Sequence, residues 1–168
     1  MKKVKSVLLT MFFTMVFASM TTIIVRAANY YYSEGSLYWI SGPSASPTTY
    51  SSSGCAGGSC RYKTQSSDPS TFRWSYSPSN LLYYYAYCPT IGQAAANYGA
   101  RFDGSGWAFT NVVMNQANSS NQGKYVYLGY TDWTPNSGGY LMTSNRCVSG
   151  YSCSGLKVFW DNILYVTQ

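Results

Sequence analysis

The sequence predicts an all-β fold, a two-sheet sandwich of about nine short antiparallel strands. From Asn29 onward, no segment longer than about ten residues has the apolar spacing of a helix. Short runs rich in Tyr, Trp, Val and Ile are separated by Gly, Pro, Ser and Asn, a pattern typical of strands and turns. The 18 Tyr and 5 Trp supply enough apolar area for a folded core.

Strands are predicted wherever such a run occurs. The clearest is 71–76, in which Phe72 and Trp74 alternate with Arg73 and Ser75, as a strand with one buried face requires. The predicted strands are 37–40, 61–63, 71–76, 82–88, 97–103, 109–114, 124–129, 140–143 and 158–166.

Two segments are less regular. Residues 82–88 are apolar or aromatic on both faces, which indicates either a central strand covered on both sides or a strand with an exposed aromatic face. Residues 41–59 are rich in Ser, Gly and Pro, and we expect one long surface loop there.

The N-terminus has the pattern of an export signal. Lys2, Lys3 and Lys5 precede an uncharged, mostly apolar stretch that ends at Arg26, and small residues follow at Ala27 and Ala28. We expect residues 1–27 to be a cleaved signal peptide and the protein to be secreted to the extracellular space. An uncleaved signal anchor is the alternative, because the stretch is nearly long enough to span a bilayer.

Removal of the signal leaves residues 28–168, the size of a single domain. Four of the 11 basic residues lie in the signal, so seven basic and five acidic residues remain and the formal charge falls from +6 to +2. The remaining basic residues are scattered, whereas nucleic-acid binding needs a basic stripe. We therefore expect no nucleic-acid partner and no stable membrane insertion after cleavage; the sequence gives no indication of the oligomeric state.

The five cysteines all lie in the predicted exported part, where disulfides persist. Cys55 and Cys60 flank a short Gly-rich interval, and Cys147 and Cys153 flank another. We predict the disulfides 55–60 and 147–153, with Cys88 a buried thiol in an apolar run. The chain has no His and lacks paired CxxC spacings, so no metal site and no cofactor is predicted.

Several motifs follow one another in the second half of the chain. Residues 85–89 read Tyr-Ala-Tyr-Cys-Pro, and residues 113–116 read Val-Met-Asn-Gln. Residues 123–129 read Gly-Lys-Tyr-Val-Tyr-Leu-Gly, and residues 160–166 read Trp-Asp-Asn-Ile-Leu-Tyr-Val. Phe102-Asp103-Gly104 fits a short hairpin between the first two motifs.

This order of motifs resembles the golvesin C-terminal-like domain, a module also attached to secreted polysaccharide-degrading proteins such as xanthan lyases. The family's forms are Tyr-Ala-Trp-Trp-Pro, Val-x-Asn-Gln, Gly-x-Trp-x-x-Leu-Gly and Ala-Asp-Ala-Val-x-Phe-Val. The resemblance covers about residues 60–168, with Cys88 in place of an aromatic residue. It implies a galactose-binding-like jelly-roll sandwich, an accessory role in carbohydrate binding, and no catalytic residues to carry over.

The acidic residues do not indicate an active site. Glu34, Asp68, Asp103, Asp132 and Asp161 are scattered, mostly in predicted turns, whereas a glycosidase needs two facing carboxylates. We therefore expect a non-catalytic binding module, and consider a polysaccharide-degrading enzyme the least favoured reading.

Aromatic rings in loops can stack on the apolar faces of sugars while short polar side chains bind the hydroxyls. We therefore predict a polysaccharide partner, and a ligand site formed by Trp107, Trp133, Tyr130, Asp103, Asn115 and Gln116. The alternative function is a structural protein of a matrix, coat or adhesive layer, because Tyr/Ser/Gly/Asn-rich exported proteins also build such layers.

Overall fold

The structure is a computed structural model that describes residues 29–43, 46–76, 82–102, 107–131 and 139–167. The predicted signal peptide lies outside these residues. Within them the chain forms 3-10 helices at Glu34–Ser36 and Ala56–Gly58 and the strands β1 (Asn29–Tyr32), β2 (Leu37–Ser41), β3 (Thr48–Ser51), β4 (Ser59–Thr64), β5 (Thr71–Tyr76), β6 (Leu82–Cys88), β7 (Ala95–Phe102), β8 (Trp107–Asn115), β9 (Lys124–Thr131), β10 (Gly139–Ser144), β11 (Lys157–Trp160) and β12 (Ile163–Thr167). No helix in this part of the chain is long and apolar enough to cross a membrane.

The strands pair antiparallel in three sheets. Sheet A has the order β1-β12-β6-β9, sheet B has the order β2-β5-β10-β7-β8, and the smaller sheet C has the order β11-β4-β3. Buried side chains of sheets A and B meet in one apolar cluster. This arrangement confirms the predicted all-β sandwich.

The core is aromatic because strands of both main sheets place a ring inward at every second position. Phe72 and Trp74 of sheet B face Tyr84 and Tyr165 of sheet A, and all four side chains are buried. Each large side chain buried in this way contributes roughly 1.5–3 kcal/mol. The other buried members from the two main sheets are Leu37, Ala86, Cys88, Ala96, Tyr98, Ala100, Met114, Leu128, Leu141 and Ile163.

Sheet C packs against one end of the sandwich through β11. Val158 and Trp160 belong to the main core, and the Trp160 ring lies 4.9 Å from that of Phe72 between centroids. Trp160 Nε1 donates a 2.8 Å hydrogen bond to Thr143 Oγ1, and the Thr143 hydroxyl donates to the Asn97 carbonyl at 2.8 Å. The indole is therefore buried with its donor satisfied.

The predicted strand 158–166 is wrong as one element, because β11 ends at Trp160 and β12 begins at Ile163. The two residues between them carry the chain from sheet C to sheet A. Asp161 Oδ1 accepts a 2.7 Å hydrogen bond from the N–H of Asn162, and Asp161 Oδ2 accepts a 2.8 Å hydrogen bond from the N–H of Ala56. A short side chain that binds nearby backbone in this way competes with strand pairing.

The prediction that residues 41–59 form one surface loop is also wrong, because β3 lies inside this segment and pairs with β4. All four residues of β3 are exposed, so the segment shows no alternation of buried and exposed positions to distinguish it from a loop. β1 was likewise not predicted, and it pairs with β12 at the edge of sheet A.

The cysteines agree in part with the predicted pairing. Cys55 and Cys60 form a disulfide with Cα atoms 5.6 Å apart, which confirms the first bridge. Cys147 and Cys153 are two thiols joined by a side-chain hydrogen bond, so their bridge stays a prediction. Cys88 is a buried thiol as predicted, and burial raises its pKa to about 11.

The Cys55–Cys60 disulfide, the predicted bridge between Cys147 and Cys153 and the buried Cys88 together predict a thiol count. In protein exported to an oxidising compartment, we expect alkylation at pH 8 to label no cysteine in the folded state and one, Cys88, after unfolding without reductant. In a Cys88→Ala variant, no cysteine should be labelled in either the folded or the unfolded state. Intact-mass and peptide mass spectrometry measure both counts, and labelling of Cys147 and Cys153 in the unfolded protein would show that the second bridge does not form.

Candidate functional site

The outer face of sheet A is covered by tyrosines. On β6, Tyr84 and Ala86 point into the core, so Tyr83, Tyr85 and Tyr87 project on the opposite side. Strand β6 therefore carries an aromatic face, the second of the two alternatives that its sequence allows. We call the tyrosine face the set of rings on this side of sheet A: Tyr31, Tyr83, Tyr85, Tyr87, Tyr125, Tyr127 and Tyr130.

Strand β9 contributes three of these rings because of a bulge. Tyr125 and Tyr127 lie opposite Tyr87 and Tyr85, and a register shift follows before Tyr130 lies opposite Tyr83. Strict alternation from Tyr127 would send residue 130 into the core, so the extra residue at the bulge turns Tyr130 to the outer face.

The rings of the tyrosine face contact one another in two groups. Their centroids lie within the range of favourable aromatic pairs, about 4.5–7 Å. The contacts are Tyr85–Tyr127 and Tyr87–Tyr125 at 5.4 Å, Tyr83–Tyr130 and Tyr31–Tyr125 at 6.1 Å, and Tyr83–Tyr127 at 6.4 Å. These contacts join Tyr31, Tyr125 and Tyr87 in one group and Tyr85, Tyr127, Tyr83 and Tyr130 in another, and both groups lie on the same face of sheet A.

Much of this surface is open to solvent. Tyr31, Tyr127 and Tyr130 are 61%, 48% and 54% exposed. Burial raises the pKa of Tyr127, and nearby phenols raise it further. A tyrosine hydroxyl is in any case protonated at neutral pH and can donate a hydrogen bond. Contiguous exposed aromatic area of this kind marks an interaction surface.

Of the predicted site residues that the structure describes, only Tyr130 lies on this face. Trp107 begins β8 in sheet B, and Asn115 ends that strand, where its Oδ1 accepts a 3.1 Å hydrogen bond from Ala117 N. Asp103 and Trp133 lie outside the described residues. The signal for the other rings was the tyrosine at every second position of 83–87 and 125–127.

Gln116, also predicted to bind ligand, instead holds sheet C in place. Its side chain is 0% exposed. Its Nε2 donates to the Phe159 carbonyl at 2.5 Å, and its Oε1 accepts from the Phe159 N–H at 3.0 Å. The amide thereby pairs with β11 as a neighbouring strand would. Gly92 must stay small here, because a Cβ at that position would lie 2.4 Å from Gln116 Cβ.

The buried carboxylate of Asp161 lies beside the disulfide. The sulfurs of Cys55 and Cys60 and a carboxylate oxygen of Asp161 lie within 4.8 Å of one another, but the sulfurs are bonded together and offer no thiolate to a metal ion. Burial raises the pKa of Asp161 to about 6, against the lowering effect of its hydrogen bonds from Ala56 and Asn162.

No model of a known protein family matches the sequence, and no curated protein matches it. Among solved structures, the chain is similar to an exo-beta-1,3-galactanase from Phanerochaete chrysosporium. The structure of that enzyme with beta-1,3-galactotriose matches at 19% identity and a TM-score of 0.45, over 82% of this chain and 29% of the enzyme. The structure with galactose matches at 19% identity and a TM-score of 0.43, over the same shares. This chain therefore spans less than a third of the enzyme.

The role of Gln116 predicts a large loss of stability on truncation. Gln116→Ala leaves the buried N–H and C=O of Phe159 unpaired, and each such group costs about 1–3 kcal/mol. We expect the free energy of unfolding in urea to fall by about 3 kcal/mol. The matched control Gln93→Ala, at an exposed position, should change it by less than about 0.5 kcal/mol. Equal effects of the two variants would contradict the assigned role.

The raised pKa of Asp161 predicts how stability depends on pH. The folded state holds this proton more tightly than the unfolded state, whose pKa is near the ordinary 3.8. The resulting stabilisation is fully present below the unfolded pKa and is lost as the pH rises through the folded pKa of about 6. The free energy of unfolding of the wild type, minus that of Asp161→Asn, should therefore decline from pH 4 to pH 6.5 and stay constant above. A constant difference across this range would contradict the shift.

Proposed function

We propose that this chain is a secreted, non-catalytic module that binds polysaccharide through the tyrosine face. The observation that carries the proposal is the array of partly exposed rings, in two contacting groups, on the outer face of sheet A. The rings are held by a rigid sheet whose other side is the core, so they need little ordering when a ligand binds.

The chemistry of the face fits a sugar polymer. The C–H faces of sugar rings are apolar and pack on aromatic rings, while protonated phenols such as that of Tyr127 exchange hydrogen bonds with sugar hydroxyls. A broad sheet surface offers many contacts to an extended polymer, and weak contacts made together give a high overall affinity.

Three further features support an exported accessory module. The N-terminal sequence has the pattern of a signal peptide, and the Cys55–Cys60 disulfide suits an oxidising compartment. The motifs of residues 60–168 resemble the golvesin C-terminal-like domain, which is an accessory module. The chain lacks His, the residue that most often serves in acid–base catalysis.

A structural role in a matrix, coat or adhesive layer is the second candidate. It is favoured by the same observation, because a contiguous aromatic surface also supports association between copies of one chain. The two functions differ in what the tyrosine face contacts.

Retention on insoluble polysaccharides tests the proposal. We expect the wild type to sediment with at least one of cellulose, chitin, xylan and β-1,3-glucan. Tyr127→Ala/Tyr130→Ala should bind that polymer at least about fivefold more weakly, at about 0.5–1.5 kcal/mol for each ring. Tyr151→Ala, which removes a 41% exposed ring from a distant loop, is the matched control and should bind as the wild type does.

Two outcomes would overturn the proposal. Loss of retention in Trp107→Ala/Trp133→Ala but not in the tyrosine variant would place the site at the tryptophans. Assembly into large oligomers in sedimentation velocity, abolished by Tyr127→Ala/Tyr130→Ala and without retention on any polymer, would favour the structural role.

A further inference from the structure

The opposite face of the sandwich contains a groove. It lies on sheet B, has a volume of about 400 Å³, and crosses β5, β10, β7 and β8. Its lining includes Thr71, Asn97, Thr110, Asn111, Ser144 and Arg146. The tyrosine face lies on sheet A, so the groove is a separate surface.

A bulge between β7 and β8 shapes this groove. Tyr98 lies opposite Val112 and Ala100 lies opposite Phe109, so Gly99 alone faces the two residues Thr110 and Asn111. Asn111 has φ 57°, the only positive φ of a non-glycine residue in the part of the chain that the structure describes. A bulge with a left-handed residue turns side chains out of the regular pleat, and Asn tolerates this conformation better than most residues do.

One hydrogen-bond acceptor at the groove has no protein partner. Asn97 Nδ2 donates a long hydrogen bond of 3.5 Å to Asn111 Oδ1. Asn97 Oδ1 is buried and accepts no hydrogen bond in the structure. A buried acceptor without a partner is unfavourable. Rotation of the Asn97 side chain, which lines the groove, would bring this oxygen within reach of a hydroxyl of a bound molecule.

The charge of this face is positive. Arg146 lines the groove, and no Asp or Glu is among its lining residues. Arg73 extends from the same face of β5, two positions from Thr71, and its guanidinium lies 4.9 Å from the centroid of the Tyr140 ring. Arg73 and Arg146 make no salt bridge with a described carboxylate. Guanidinium groups bind carboxylates with two parallel hydrogen bonds.

We propose that this groove is a second binding site, and that its ligand is a carboxylated sugar chain, a uronic-acid glycan. Arg146 binds a carboxylate of the chain, and the Asn97 side chain rotates so that its Oδ1 accepts a hydrogen bond from a sugar hydroxyl. The Thr71, Thr110 and Ser144 hydroxyls lie along the same path. Charge complementarity selects an acidic glycan over a neutral one.

Isothermal titration calorimetry with tetragalacturonate tests the site, and the fully methyl-esterified tetramer serves as a neutral ligand of nearly the same shape. We expect the wild type to bind the acid at least tenfold more tightly than the ester, with the difference shrinking between 50 and 500 mM NaCl. Arg146→Gln should weaken binding of the acid by roughly tenfold to a hundredfold and leave that of the ester unchanged. Asn97→Asp keeps the shape of the side chain but adds a negative charge, so it should abolish binding of the acid.

Two controls separate this site from other effects. Arg61→Gln removes one positive charge on sheet C and should bind the acid as the wild type does. Tyr127→Ala/Tyr130→Ala should also bind the acid as the wild type does, so the proposal for the groove is tested independently of the proposal for the tyrosine face. Thermal unfolding midpoints verify that each variant is folded. Equal affinity of the wild type for acid and ester, no binding of the acid, or full binding by a folded Arg146→Gln variant would overturn the proposal.

Discussion

The fold depends on how the backbone of β11 is satisfied where it enters the core. On one side β11 pairs with β4, and on the other the buried amide of Gln116 bonds both the N–H and the C=O of Phe159 in place of a strand. The next residue, Trp160, is held by the hydroxyl of Thr143. These bonds fix where the chain leaves sheet C, and therefore where β12 enters sheet A between β1 and β6. An unpaired polar group here would oppose the packing of all three sheets.

Two chemically different surfaces result from this arrangement. Inward rings such as Trp74 and Tyr84 are fully buried in the core between the two main sheets. The outer face of sheet A is aromatic, with Tyr127 and Tyr130 open to solvent, whereas the outer face of sheet B carries a groove lined in part by hydroxyl and amide side chains and by Arg146. Each outer face can therefore change its side chains with little effect on the core.

The fold class could be predicted from the sequence because the alternation of inward and outward side chains along a strand is a local pattern. Strands β5 and β6 match their predicted bounds. The sequence was insufficient where the decisive partner is distant in the chain. Gln116 lies 43 residues from Phe159, so the sequence does not show that the two residues are bonded. A polar side chain near the end of a predicted strand was therefore assigned to the ligand site. Tyr130 was assigned to the site, but the rings beside it were not, because only the pairing of β9 with β6 brings them together.

On each outer surface a bulge orients one side chain, that of Tyr130 on sheet A and that of Asn111 on sheet B, and this has an evolutionary consequence. A bulge is a one-residue insertion in a strand, so deletion of a single codon near Leu128 would exchange the inward and outward positions of the rest of β9. The same holds near Asn111 for β8. Related sequences can therefore diversify these surfaces by short insertions and deletions at two points, a route that substitution-based comparison of sequences records poorly.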